Sequence, residues 1–83
     1  MLLTQREASI LNAVIRSYII TGEPVGSKAL RDAQSMNLSP ATIRAAMNRL
    51  CELGLLEQPH TSAGRIPTAA GYRYFIENLL PNC

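Results

Sequence analysis

Arg44 and Asn48 stand four residues apart in the segment SPATIRAAMNRLCELG, residues 39–54, which is patterned as one helix. Four residues is just over one helical turn, so both side chains share a face. Arginine and asparagine bond bidentately to guanine and adenine edges, and arginine also pairs with phosphate. The same face carries Ala41, Ala45 and Glu52, with Thr42 and Arg49 along one flank. Small residues let a helix approach a surface closely. An ordinary solvated face, which more often carries Lys and Glu in quantity, is the plainer reading, and on this face alone both stay open. A third arginine, Arg65, follows the turn-forming cluster of residues 59–64. Thr61, Ser62, Gly64 and Arg65 then form a slim polar loop tip, able to lie along a minor groove or a phosphate backbone. His60 in that loop reads as a surface residue rather than a ligand.

These residues need elements to position them. Ser39 can cap a helix whose first residue, Pro40, has no N–H to lose, and Gly54 supplies a left-handed stop. With Ile43 at 0°, Met47, Leu50, Ala46 and Leu53 fall within about 80° on the inner face, and Cys51 marks its edge. Leu55-Leu56-Glu57 is too short for a helix before Pro59, so residues 55–67 are expected to form a small hairpin. Upstream, Thr4-Gln5-Arg6-Glu7 is a capping box opening a helix over about 5–21, stopped by Gly22. Its expected core stripe is Leu11, Val14, Ile15, Tyr18 and Ile19. Residues 22–26 are a loop with one possible strand residue, Val25, and Ser27 is expected to cap a short helix over 28–34. A fourth helix, 69–80, follows the cap Thr68; Tyr72, Phe75, Ile76 and Leu79 are its expected inner face, with Tyr74 turned outward. Gly71, costly in a helix, suggests close packing there or a contact that needs no side chain. The apolar end at Leu79 and Leu80 suggests either the finish of the core or a contact surface.

At 83 residues the chain is one small domain, able to bury roughly 60% of its unfolded surface and too small for a deep enzyme cleft. A hydrophobic share of 47% marks a globular chain, and a net charge of +2 is far from that of a non-specific nucleic-acid coat. Seven of the 8 cationic residues are Arg, a weak pointer to phosphate and guanine contacts. Cys51 and Cys83 match no zinc spacing. One His, no Gly-rich phosphate loop after a strand and no paired carboxylates on a helix face leave no catalytic grouping, so neither enzyme nor cofactor is expected. With no apolar run of 18 residues and no signal-peptide pattern, the expected location is the cytoplasm, away from membranes.

Helix, short turn and helix over 27–53, followed by a hairpin and packed on two further helices, give a mostly α fold: a winged helix-turn-helix with a β-hairpin wing. In such a fold the second helix of the pair enters the major groove, N-terminal half first. The candidate DNA-binding residues are then Ser39, Ala41, Thr42, Arg44, Ala45, Asn48 and Arg49 on the helix and His60, Thr61, Ser62, Gly64 and Arg65 on the wing. The rival from another class is a winged helix used for protein–protein contact. It would expose Leu, Ile or aromatics on the third helix, and none stands there. RNA binding would favour exposed aromatics for stacking, for which only Tyr74 is a candidate.

The strings GEPVGSKAL (22–30), LSPATIR (38–44), ELGLLEQPHTSAGRIPT (52–68) and GYRYF (71–75) resemble the N-terminal domain of the heat-inducible transcription repressor HrcA family. The resemblance runs from Leu3 to Leu80. It implies a winged-helix domain that represses chaperone operons by binding an inverted-repeat DNA operator. It also implies a homodimer, formed through a further regulatory and dimerising region, and tuning by the GroE chaperonin. One position departs from the pattern: the family commonly has a polar residue, often Asn, after the Ile-Arg pair, where this chain has Ala45. General DNA binding therefore carries over better than the identity of the operator.

Overall fold

A computed structural model of the chain describes residues 3–34, 37–59 and 64–79. Three helices come first: α1 (Gln5–Thr21), α2 (Ser27–Gln34) and α3 (Pro40–Glu52). The strands β1 (Leu56–Glu57) and β2 (Ile66–Pro67) follow, then α4 (Ala69–Tyr74), which runs on into a π-helical stretch, Phe75–Leu79.

The helix ends follow local chemistry. The Thr4 hydroxyl accepts the Glu7 N–H at 3.1 Å while the Glu7 carboxylate accepts the Thr4 N–H at 3.0 Å, a closed capping box. Gly22 ends α1 at φ 70° and donates to the Tyr18 carbonyl at 2.7 Å. At the far end of α3, Gly54 takes φ 79° and donates to the Cys51 carbonyl, and Leu55 donates to Leu50 at 2.9 Å. This is a Schellman motif, and Leu50 and Leu55 are both buried beside it. Thr68 caps α4 by accepting the Gly71 N–H at 3.0 Å, and its hydroxyl donates to the Gly54 carbonyl at 2.6 Å, joining the start of α4 to the end of α3. α2 departs from expectation by one residue: Leu30 donates to the Gly26 carbonyl, so Gly26 holds the cap position and Ser27 is already helical.

The core joins Leu11, Val14 and Ile15 of α1 to Leu30 of α2, Ile43, Met47 and Leu50 of α3, Leu55, Leu56 and Phe75. Two expected core residues lie outside it. Ile19 is 60% exposed, because Ile10 and Ala13 are also buried and rotate the packed face of α1 away from it. Ile76 is 62% exposed. The inner face of the last helix is centred on Gly71 and Phe75, with Tyr72 partly buried against the core as expected and Ile76 turned out, since Gly71 lies against the Leu55 backbone. The same rotation brings Tyr74, expected to point outward, into packing contact with the core. The π-helical stretch, with its wider i→i+5 turn, keeps Leu79 on that face; Leu80 lies outside the described residues.

β1 and β2 pair antiparallel, Leu56 opposite Pro67 and Glu57 opposite Ile66. A third strand position joins them: the Val25 N–H donates to the Arg65 carbonyl and the Arg65 N–H to the Val25 carbonyl, both at 2.9 Å. The loop between α1 and α2 is thereby tied to the base of the hairpin.

Candidate nucleic-acid interface

α3 turns Ile43, Ala46, Met47 and Leu50 inward, so Ala41, Arg44, Ala45, Asn48 and Arg49 are left exposed on its other side. No large apolar side chain stands among them. Ser39 and Thr42 share a hydrogen bond, Oγ to Oγ1 at 2.9 Å, and the Ser39 Oγ accepts the Thr42 N–H at 3.2 Å, so both hydroxyls serve the helix cap. Arg49 lies 3.9 Å from the Glu7 carboxylate, which draws its guanidinium toward α1. Both groups of that pair reach solvent, so it holds Arg49 only loosely.

Two depressions flank α3. On one side Ala41, Thr42, Ala45 and Arg49 face Thr4, Arg6 and Glu7 at the start of α1. On the other, a depression of about 370 Å³ is lined by Gly26, Ser27, Lys28 and Ala29 at the start of α2, by Arg44, by Gln58 beyond β1 and by Arg65. Three cationic residues and no carboxylate line this second depression. Among the described residues the ion pairs are Arg31–Asp32 and Arg49–Glu7, so Lys28 and Arg44 carry uncompensated charge. The backbone N–H groups that open α2 and the positive end of its dipole add to the same field. The charge and the free N–H groups suit an anion, and a nucleic-acid phosphate is the polymeric form of one. Lys28, Gln58 and the start of α2 are additions to the residues expected from sequence. The string Gly-Ser-Lys at a helix opening was a signal for them, since a helix N-terminus with a lysine beside it suits phosphate.

The structure corrects the place of two wing residues. Arg65 is not a charge at a loop tip: it is 8% exposed, at the base of the hairpin, held on both backbone sides by Val25. Its Nη2 donates to Asn48 Oδ1 at 2.7 Å, which joins the wing to α3. Gly64 is buried as well, and a Cβ there would come within 2.8–2.9 Å of Pro24 and of the Val25 nitrogen. Its role is close backbone approach. Both displacements have one physical cause, the two hydrogen bonds to Val25, which pull this end of the hairpin against the α1–α2 loop. His60, Thr61 and Ser62 lie outside the described residues.

A helix-turn-helix pair with an exposed second helix, backed by α1 and followed by an antiparallel hairpin, defines a winged helix-turn-helix. Residues 2–79 match the family model described as "Winged helix-turn-helix transcription repressor, HrcA DNA-binding". The chain is 54% identical over 81 residues to the heat-inducible transcription repressor HrcA of Moorella thermoacetica, covering 98% of this chain and 24% of that protein. It is 52% identical over 83 residues to the repressor of the same name from Natranaerobius thermophilus, again 24% of its length. A crystal structure described as that of a hypothetical protein superposes with a TM-score of 0.87 at 42% identity, covering 92% of this chain and 24% of that one. The chain belongs to the HrcA DNA-binding winged-helix family, and it spans about a quarter of the length of the curated relatives it matches. The relatives are transcription repressors and the family is described by DNA binding, a role that performs no bond chemistry. Among the described residues no helix is long and apolar enough to cross a membrane.

Proposed function

We propose that this chain is the DNA-binding module of a heat-inducible transcription repressor, with α3 as the helix that enters the major groove. The observation that carries the reading is the pairing of an exposed α3 face of Arg44, Ala45 and Asn48 with the carboxylate-free basic depression beside it. The alanines allow close approach, Arg44 and Asn48 reach base edges, and Lys28 with the start of α2 sits where a backbone phosphate would flank the groove. Repression is steric: a bound dimer covers promoter DNA. The operator is an inverted repeat read by two copies, the dimer is completed by parts of the repressor outside this chain, GroE tunes its activity, and the protein works in the cytoplasm. Family membership supports these finer points.

The test is binding of the 83-residue chain to an inverted-repeat duplex taken from upstream of chaperone genes, against a scrambled duplex. One recognition helix and one wing make few phosphate contacts, and two linked modules would gain ~10²–10⁴ in effective affinity that one module lacks. The expected dissociation constant is therefore about 10⁻⁴–10⁻⁶ M, weakening steeply with salt. Nanomolar binding by a demonstrated monomer, or binding indifferent to salt, would count against the reading.

Lys28 gives a separate prediction. Its ammonium is a point charge beside the opening of α2, suited to phosphate and blind to base identity. Lys28→Ala is expected to weaken both duplexes by the same factor and to lower the salt slope by about one. A change confined to the operator duplex would move Lys28 from the backbone to a base.

A further inference from the structure

We propose that Arg6 and Arg49 together hold a backbone phosphate on the DNA strand across the major groove from Lys28, so that α3 is clasped from both sides. The inference rests on the DNA-binding reading above and adds the start of α1 to the surface that meets DNA.

A helix with its side chains is about 10–12 Å across and the major groove is about 12 Å wide. A helix seated there therefore brings its two flanks against the two rows of phosphates. At roughly 100° per residue, Arg44 and Arg49 project from α3 about 140° apart, with Ala41 and Ala45 between them. Arg44 opens onto the depression at α2, where Lys28 stands, and Arg49 onto the one at α1. This second depression, about 510 Å³, has Arg6 on its α1 wall. Arg6 is exposed and stands in no ion pair among the described residues.

One carboxylate, Glu7, shares this depression, and its oxygens are already engaged. Oε1 accepts the Thr4 N–H at 3.0 Å, and Oε2 lies 3.9 Å from Arg49 Nε. The Glu7 side chain is 19% exposed against 57% for Arg49, so the anion lies beneath and the cation above. The pair uses Nε, and the Nη groups of Arg49 meet no other partner among the described residues. Arg6 and the outer end of Arg49 thus present two cations over one largely covered anion, and the wall is net positive. Guanidinium forks suit phosphate oxygens, and a contact to the backbone carries no base identity.

The experiment scans single methylphosphonates, each neutralising one phosphate, along both strands of a duplex carrying one half of the inverted repeat. A single half keeps the two strands distinguishable. The binders are the 83-residue chain and its variants Lys28→Ala, Arg6→Ala and Arg49→Ala, with melting temperature as the companion measurement. The native chain should be weakened by neutral phosphates on both strands. Arg6→Ala and Arg49→Ala should each become insensitive at one shared phosphate, and Lys28→Ala at another, on the opposite strand. Arg6→Ala should also weaken half-repeat and scrambled duplexes by the same factor and lower the salt slope by about one. Over a fourfold rise in salt, the native chain then loses roughly threefold more affinity than the variant. Arg6→Ala that keeps the native sensitivity at every phosphate would overturn the proposal. So would Arg6 and Lys28 mapping to the same strand, or an Arg6→Ala effect confined to the half-repeat duplex. If Arg6→Ala does not fold, Arg49→Ala decides alone by the same map. No sensitivity of the native chain at any phosphate is a different failure, one that removes the DNA-binding reading and the proposal with it.

Discussion

Replacing Gly71 by alanine is expected to lower the melting temperature of the chain by about 10–20 °C. Alanine normally stabilises a helix by close to 1 kcal/mol over glycine, so the sign here is opposite to the intrinsic preference. The cause is space. A Cβ at residue 71 would run into the Leu55 carbonyl, a backbone group that cannot swing aside as a side chain tip would. That carbonyl also accepts the Thr68 N–H at 3.1 Å, and Leu55 is held by its own bond to Leu50, so both sides of the contact are fixed. Overpacking of a rigid site costs ~1–3 kcal/mol, and each kcal/mol moves the midpoint of a domain this size by about 4–8 °C. Gly22→Ala is the matched control. Nothing lies within 4 Å of a Cβ there, and only its φ of 70° opposes the change, at about 1–2 kcal/mol. Circular dichroism melts should place the midpoint of Gly71→Ala below that of Gly22→Ala. An equal or smaller loss for Gly71→Ala would mean that α4 can slide from the α3–β1 corner, and that the packing described there is not rigid.

The same glycine shows how far sequence could be followed. Its expense inside a helix was visible from the residue type, and close packing was the right consequence, but what it packs against was not visible. The caps Thr4, Ser39 and Thr68 and the left-handed glycines Gly22 and Gly54 were legible because each depends on neighbours within a few residues. The inner face of α3 was legible for the same reason, since four of its residues repeat at helical spacing with nothing else competing for the centre. Ile19 and Ile76 were misplaced because periodicity assigns a face and not its centre, and in both helices a small buried residue, Ala13 or Gly71, shifts that centre. Arg65 was misplaced for a deeper reason. Its position is set by Val25, 40 residues earlier, and no local pattern announces a one-residue strand pairing across that separation. The candidate site followed suit: the exposed face of α3 was readable, whereas the wing's hold on Asn48 and the depression at α2 needed the fold.

Arg44→Ala is expected to have the largest effect on DNA binding, reducing the preference for the inverted-repeat duplex over the scrambled one by about 10–100-fold. Arg44 alone among the exposed α3 residues lines the depression beside α2, and it stands in no ion pair among the described residues. Its guanidinium is therefore free to meet a guanine edge bidentately while the field of Lys28 and the α2 opening holds the backbone nearby. A single phosphate contact would cost far less preference, since both duplexes would lose it alike. Arg31→Ala removes the same formal charge as a control. Arg31 is bonded to Asp32 at 3.3 Å and lies outside both depressions that flank α3, so its loss should leave the preference within about twofold. Ala45 refines the comparison. It lines the opposite depression, toward Thr4 and Glu7, and Ala45→Asn should change which duplex is preferred while scrambled DNA is held as before. If Arg44→Ala and Arg31→Ala weaken both duplexes by the same factor, charge alone holds the DNA. In that case α3 does not read the sequence.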